Sequence, residues 1–102
     1  MAIASLNSMS NGTRKTVTSI INNISYSGVG MTSYTPFTIG TPVSIRVIKI
    51  TGADNNEILN GIITYSYKQH DSYYMGISLK EDLHPDEQPK LYEHFSKTMK
   101  FI

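Results

Sequence analysis

A small all-β barrel, six-stranded and antiparallel, closed by one C-terminal helix, is the fold class that the sequence predicts. Three observations predict it. Apolar and polar residues alternate in short runs, turn-forming residues recur between those runs, and the alternation gives way near the C-terminus to a helical stripe. Seven Tyr and many Thr, Ser and Ile strengthen the β signal. At 102 residues the chain suits a single domain over 1–102, too short for two separate cores.

Asn11-Gly12 is the clearest hairpin signal. A two-residue turn there pairs Ser10 with Thr13 and joins a strand over about 2–9 to one over about 13–23. In that register Ala2 faces Ile21 and Met1 faces Asn22. Asn23 to Gly30 reads as a turn leading into a short third strand over about 29–33, before Pro36 and Pro42 interrupt pairing. Val43, Ile45 and Val47 alternate with Ser44 and Arg46 in a fourth strand, about 43–50. Thr51 to Asn56 reads as a loop. In a fifth strand, about 57–68, Leu59, Gly61, Ile63, Tyr65 and Tyr67 make the inward face, with Thr64, Ser66 and Lys68 toward water. Tyr73, Met75, Ile77 and Leu79 repeat the pattern in a sixth, about 73–80.

The period then becomes helical. Leu91, Tyr92, Phe95, Met99 and Ile102 share one stripe of a helix over about 86–100. Asp86 and Glu87 suit its start and Lys97 and Lys100 its end, by the sense of the macrodipole, and Pro89 is tolerated in the first turn. So apolar a stripe must cover something, either an open end or face of the barrel or a second copy in a dimer.

Composition excludes several function classes. Without cysteine there is neither a disulfide framework nor a thiolate-bound zinc. A formal net charge of +1 is too small to attract nucleic acid in general. The charge is unevenly spread, however: residues 1–53 carry Arg14, Lys15, Arg46 and Lys49 and no carboxylate, while six of the eight acids follow His70. No stretch approaches the ~20 apolar residues of a membrane helix, and Met1–Ser10 lacks the features of a signal peptide, so no membrane contact and a cytoplasmic location are expected.

His70, His84 and His94 share no i, i+4 spacing, and Glu81-Asp82 and Asp86-Glu87 read as a loop and a helix start rather than a cation site. Ser25 has no adjacent His or Asp to activate it. No catalysis, metal or cofactor is expected. Tyr26, Tyr65, Tyr67, Tyr73 and Tyr74 could supply a stacking platform for single-stranded nucleic acid, although strand positions explain most of them.

The segment Asn23-Ile24-Ser25-Tyr26-Ser27-Gly28, followed by Val29-Gly30-Met31, concentrates groups suited to a phosphorylated ligand. Asn23 both donates and accepts, Ser25 has a rotatable hydroxyl, and Gly28 can adopt positive φ and lets backbone N–H groups approach a ligand closely. On these grounds alone, a plain polar turn is the commoner meaning of such a segment.

Asn-x-Ser-x-x-Gly closing the second of six strands, with a helix at the C-terminus, resembles the PilZ domain family over nearly the whole chain. The resemblance implies a non-catalytic module of bacterial cyclic di-GMP signalling, with Asn23, Ser25 and Gly28 as ligand-binding residues. Met75-Gly76-Ile77 is similar to the family's late strand. The implied partners are cyclic di-GMP and a partner protein or adjacent domain. An adaptor in pilus or motility machinery that binds only protein is an alternative, as is an unrelated small barrel that binds nucleic acid.

The chain departs from the family in one respect. The family uses an upstream Arg-x-x-x-Arg, whereas the only arginines here are Arg14 and Arg46. Arg14 lies nine residues before Asn23 on the same strand, roughly 30 Å at ~3.3 Å per residue. The hairpin register places Met1 beside the motif, so residues upstream of it would emerge over Asn23 and Ser25, where an arginine fork could contact phosphate or guanine. Losing two charge-assisted contacts costs ~3–6 kcal/mol, or roughly two to four orders of magnitude in affinity. Binding by this chain is expected to be weak or absent.

Overall fold

The structure, a computed structural model, describes residues 2–10 and 12–96. Strands β1 (Ala2–Ser10), β2 (Thr13–Ile24), β3 (Gly28–Ser33), β4 (Pro42–Ile50), β5 (Ala53–Asp54), β6 (Ile58–Gln69) and β7 (Ser72–Leu79) precede one helix, α1 (Pro89–Phe95). All pairings are antiparallel, in the order β1-β2-β3-β7-β6-β4, and β4 returns to β1 to close a six-stranded barrel. The first hairpin has the expected register, from Ser10 opposite Thr13 to Ala2 opposite Ile21. Gly12 sits in the turn at φ 78°, while Asn11 and Met1 lie outside the described residues.

The barrel interior is filled by the alternating residues. Ala2, Ala4 and Leu6 from β1 meet Val43, Ile45 and Val47 from β4, and Met75, Ile77 and Leu79 complete the ring with Met31 and Ile63. Each barrel end is closed by chain that crosses it. The connection from β3 to β4, which are not neighbours, carries Phe37 into the core, and Lys15 pins it by lying 4.3 Å from the Phe37 ring centroid and donating to the Pro36 carbonyl. At the opposite end Leu83 and Leu91 join the same core.

Three expectations require correction. Thr51 to Asn56 is not simply a loop: Thr51 and Gly52 form a tight turn with φ 49° and 81°, and β5 pairs back onto Lys49 and Ile50. The helix starts at Pro89 rather than 86, because residues 84–88 form a separate turn in which Gln88 N–H donates to the His84 carbonyl at 2.8 Å. Its expected continuation over 97–100, with Met99 and Ile102 on the stripe, lies outside the described residues. Tyr65 and Tyr67 are not inward: they are 45% and 52% exposed. A bulge between Ile63 and Tyr65 inserts Thr64 as an extra outward residue, which reverses the faces of everything after it.

Leu91 is fully buried in the barrel core, so the described part of the helix covers a barrel end. Its first amides are capped from a distance: the Glu57 carboxylate accepts from Lys90 N–H and Leu91 N–H, both at 2.8 Å. Asp86 and Glu87, expected to serve the helix start, precede it instead. Among the described residues no helix is long and apolar enough to cross a membrane.

Candidate functional site

The end of β2 repeats the bulge of β6. Ile21 and Ile24 both point inward, and the two residues between them both point outward, because the β2–β3 register shifts between Ile21 and Asn23. Without that extra residue Asn23 would face the core. Asn22, the other outward residue, accepts a hydrogen bond from the Thr32 hydroxyl at 2.6 Å, which fixes the bulge to β3.

The two bulges put Asn23 and Tyr65 in one row across four adjacent strands. Asn23 pairs with Gly30, Gly30 with Gly76, and Gly76 with Tyr65. Side chains from the ends of the row and from the next one lie over the two glycines. A Cβ at Gly76 would overlap the Tyr65 ring; one at Gly30 would overlap the Tyr74 hydroxyl and stand 2.6 Å from Asn23 Oδ1. Asn23 Nδ2 donates to that hydroxyl at 2.7 Å. Tyr65, Tyr67 and Tyr74 form one aromatic patch, with ring centroids 5.6–6.4 Å apart and planes 12–33° from parallel. Burial first, and then neighbouring Tyr74, push the Tyr65 phenol above its ordinary value, so it is neutral near pH 7.

The rest of the motif makes a tight turn beside this row. Ser25 N–H donates to the Gly28 carbonyl at 2.8 Å, and the Ser25 hydroxyl makes a longer bond, 3.4 Å, to the same oxygen. Gly28 does not adopt positive φ, and a Cβ there would meet only ordinary contacts, 3.4 Å from the Ile77 carbonyl oxygen and 3.6 Å from Ser25 Oγ. Glycine at this position is therefore not demanded by the fold. The turn is gripped from below: Leu83 N–H donates to the Tyr26 carbonyl at 2.7 Å, and the Tyr26 and Tyr92 hydroxyls are 2.9 Å apart. That bond, with burial second, raises the Tyr26 phenol above its ordinary value.

No family model, curated protein or solved structure matches the chain. The site must be read from its own chemistry. Of the expected residues, Asn23 is exposed on the outer face and Ser25 and Gly28 are half-buried in the adjoining turn. Neither arginine is near them: Arg14 stands opposite Met9 at the far end of β2, and Arg46 is on β4, separated from β2 by β1. A cleft of about 880 Å³ elsewhere is bordered by Arg14, Lys80, Glu81, Asp82 and Glu87, and none of the three motif residues lines it. Three carboxylates at its rim make it a poor place for an anionic ligand. Among the described residues no three His, Asp or Glu side chains are placed to share a metal ion.

Sequence reasoning missed the partnership of Asn23 with Tyr74 and the outward placement of Tyr65 and Tyr67. The first bulge had a signal, since Ile21 and Ile24 are three apart with two Asn between. The second had none, because tyrosine suits either face of a strand.

Proposed function

We propose that the chain is a non-catalytic PilZ module of bacterial cyclic di-GMP signalling that docks the nucleotide at the Asn23–Gly28 turn. The observation that carries this reading is the bulge that turns Asn23 outward beside the Ser25–Gly28 turn. Asn23 Oδ1, lying over Gly30, is an acceptor for the N1–H and N2–H donors of guanine. The Ser25 hydroxyl, held only by a 3.4 Å bond, can turn to a phosphate oxygen at little cost. Docking here bears on the helix through Tyr26 and Tyr92, which is a route to altered contacts with a partner protein or adjacent domain.

With no arginine beside the turn, affinity is weak. Calorimetry with cyclic di-GMP should therefore give no low-micromolar binding, while amide NMR at millimolar ligand should show shifts at Asn23, Ser25 and Gly28 that Ser25→Ala and Asn23→Ala remove. Appending an N-terminal arm with Arg-x-x-x-Arg should bring micromolar binding. Low-micromolar affinity without the arm would refute the arginine argument. A silent turn at millimolar ligand, with no gain from the arm, would sink the nucleotide reading.

A further inference from the structure

We infer that Tyr65, Tyr67 and Tyr74 are a stacking shelf for a guanine base, forming a second contact region beside the Asn23–Gly28 turn; this inference rests on the nucleotide reading above. Three features point to it. First, Tyr65 and Tyr67 stand half exposed on the barrel's outer surface although each could have been core: the bulge at Thr64 turns them out together. Second, the two positions beneath the Tyr65 ring and the Tyr74 hydroxyl carry no side chain. Gly30 and Gly76 sit side by side in the centre of the row, and a Cβ on either would lift the Tyr74 hydroxyl or the Tyr65 ring off the sheet. Third, the shelf carries a polar pair at the edge nearest the turn. The Tyr74 hydroxyl, accepting from Asn23 Nδ2, retains its own hydrogen to donate, and Asn23 Oδ1 is an acceptor beside it.

A donor next to an acceptor is complementary to the O6 and N1–H edge of guanine, while the ring faces supply the stacking surface. From Asn23 to Tyr65 the row spans three strand spacings, about 14 Å at ~4.8 Å each. One guanine then lies on the shelf with its edge at Asn23, and the phosphates and the second base lie toward Ser25 and Gly28. Ile20, 37% exposed and in the next row with Thr32, Tyr74 and Tyr67, extends the apolar floor.

The test is a cyclic di-GMP titration of the whole chain followed by NMR of both the tyrosine rings and the backbone amides. The variants are Tyr67→Ala and Tyr65→Leu, with cyclic di-AMP and a single-stranded oligonucleotide as comparison ligands. Tyr67 is half exposed, so its truncation leaves the barrel standing, as amide dispersion verifies. The expected result is upfield ring shifts at Tyr65, Tyr67 and Tyr74, binding about tenfold or more weaker in Tyr67→Ala, and weaker shifts with cyclic di-AMP. If the turn responds and both variants bind as wild type, the shelf is overturned and the proposed function stands. If turn and shelf are both silent at millimolar ligand and stay silent when the Arg-x-x-x-Arg arm is appended, both fall. If the oligonucleotide perturbs the shelf as strongly as cyclic di-GMP does and the turn is silent, the chain binds nucleic acid instead and both are again overturned.

Discussion

At Thr51 the backbone has φ 49°, a left-handed conformation in which a β-branched side chain crowds its own carbonyl, at a cost of roughly 1–2 kcal/mol. The hairpin to β5 demands it, since Ile50 and Ala53 pair directly across Thr51 and Gly52. Thr51→Asn should therefore raise stability by about 1 kcal/mol in urea denaturation; a decrease would mean that the 3.5 Å contact from Thr51 to His94 outweighs the backbone strain. Glycines offer a sharper contrast. A Cβ at Gly61 would overlap the Ser78 carbonyl oxygen and stand 2.8 Å from Ile77 Cγ2, so β6 and β7 would have to part. At Gly76 its three nearest contacts all belong to the Tyr65 ring, which can swing outward. Gly61→Ala should cost about 2–3 kcal/mol and Gly76→Ala clearly less, while Gly76→Ala alone shifts the Tyr65 ring resonances. Equal losses would contradict the outward freedom of that ring.

The seven-residue helix is too short to persist on its own, and what holds it is tertiary. Leu91 is buried in the barrel, the Gln88 side chain donates to the Ile58 carbonyl at 3.1 Å and accepts from His84 N–H at 3.0 Å, and Glu57 accepts from the two helix amides. A carboxylate at a helix N-terminus also opposes the macrodipole. Glu57→Ala should lower stability by about 2 kcal/mol, in the range of losing a strong cap, and should raise amide exchange in α1 before that in the strands. Uniform exchange across the molecule would show that Glu57 is dispensable to docking. This element was only half legible in sequence: the Leu91 and Tyr92 stripe marked it, but its cap lies more than thirty positions away, where no local pattern reports it.

Barrel, crossing segments and helix share one core, so groups that link them make stability a property of the whole molecule. The phenols of Tyr26 and Tyr65 are both raised above their ordinary value. The folded state thus holds these protons more tightly than the unfolded chain, where tyrosine titrates near ~10. Their contribution is fully present below about pH 10 and is lost as pH rises through the folded-state values. Stability should be flat with respect to these groups through neutral pH and fall above about pH 10, and Tyr65→Phe should reduce the slope of that fall. Absorbance titration resolving no phenol above the ordinary value would contradict this.

The strand order of inward residues, the turns and the barrel class follow from the chain's own alternation, because a pleated strand with one buried face must repeat every second residue. Six strand boundaries, at about 2, 13, 29, 43, 57 and 73, were each readable to within a residue for that reason, and the Asn11-Gly12 signal set the first register correctly. The Asn23, Ser25 and Gly28 motif was equally visible as chemistry. Which face it occupies was not. Alternation predicts one face per residue parity, and a bulge reverses parity without changing composition; the spacing of Ile21 and Ile24 hints at the first bulge, but only the paired strands fix Asn23, Tyr65 and Tyr67 outward. The same pairing brings Asn23 to Tyr74, fifty-one residues away, across a floor of two glycines. Local sequence determined the six barrel strands, and their pairing, bulges included, determined what their outer surface presents.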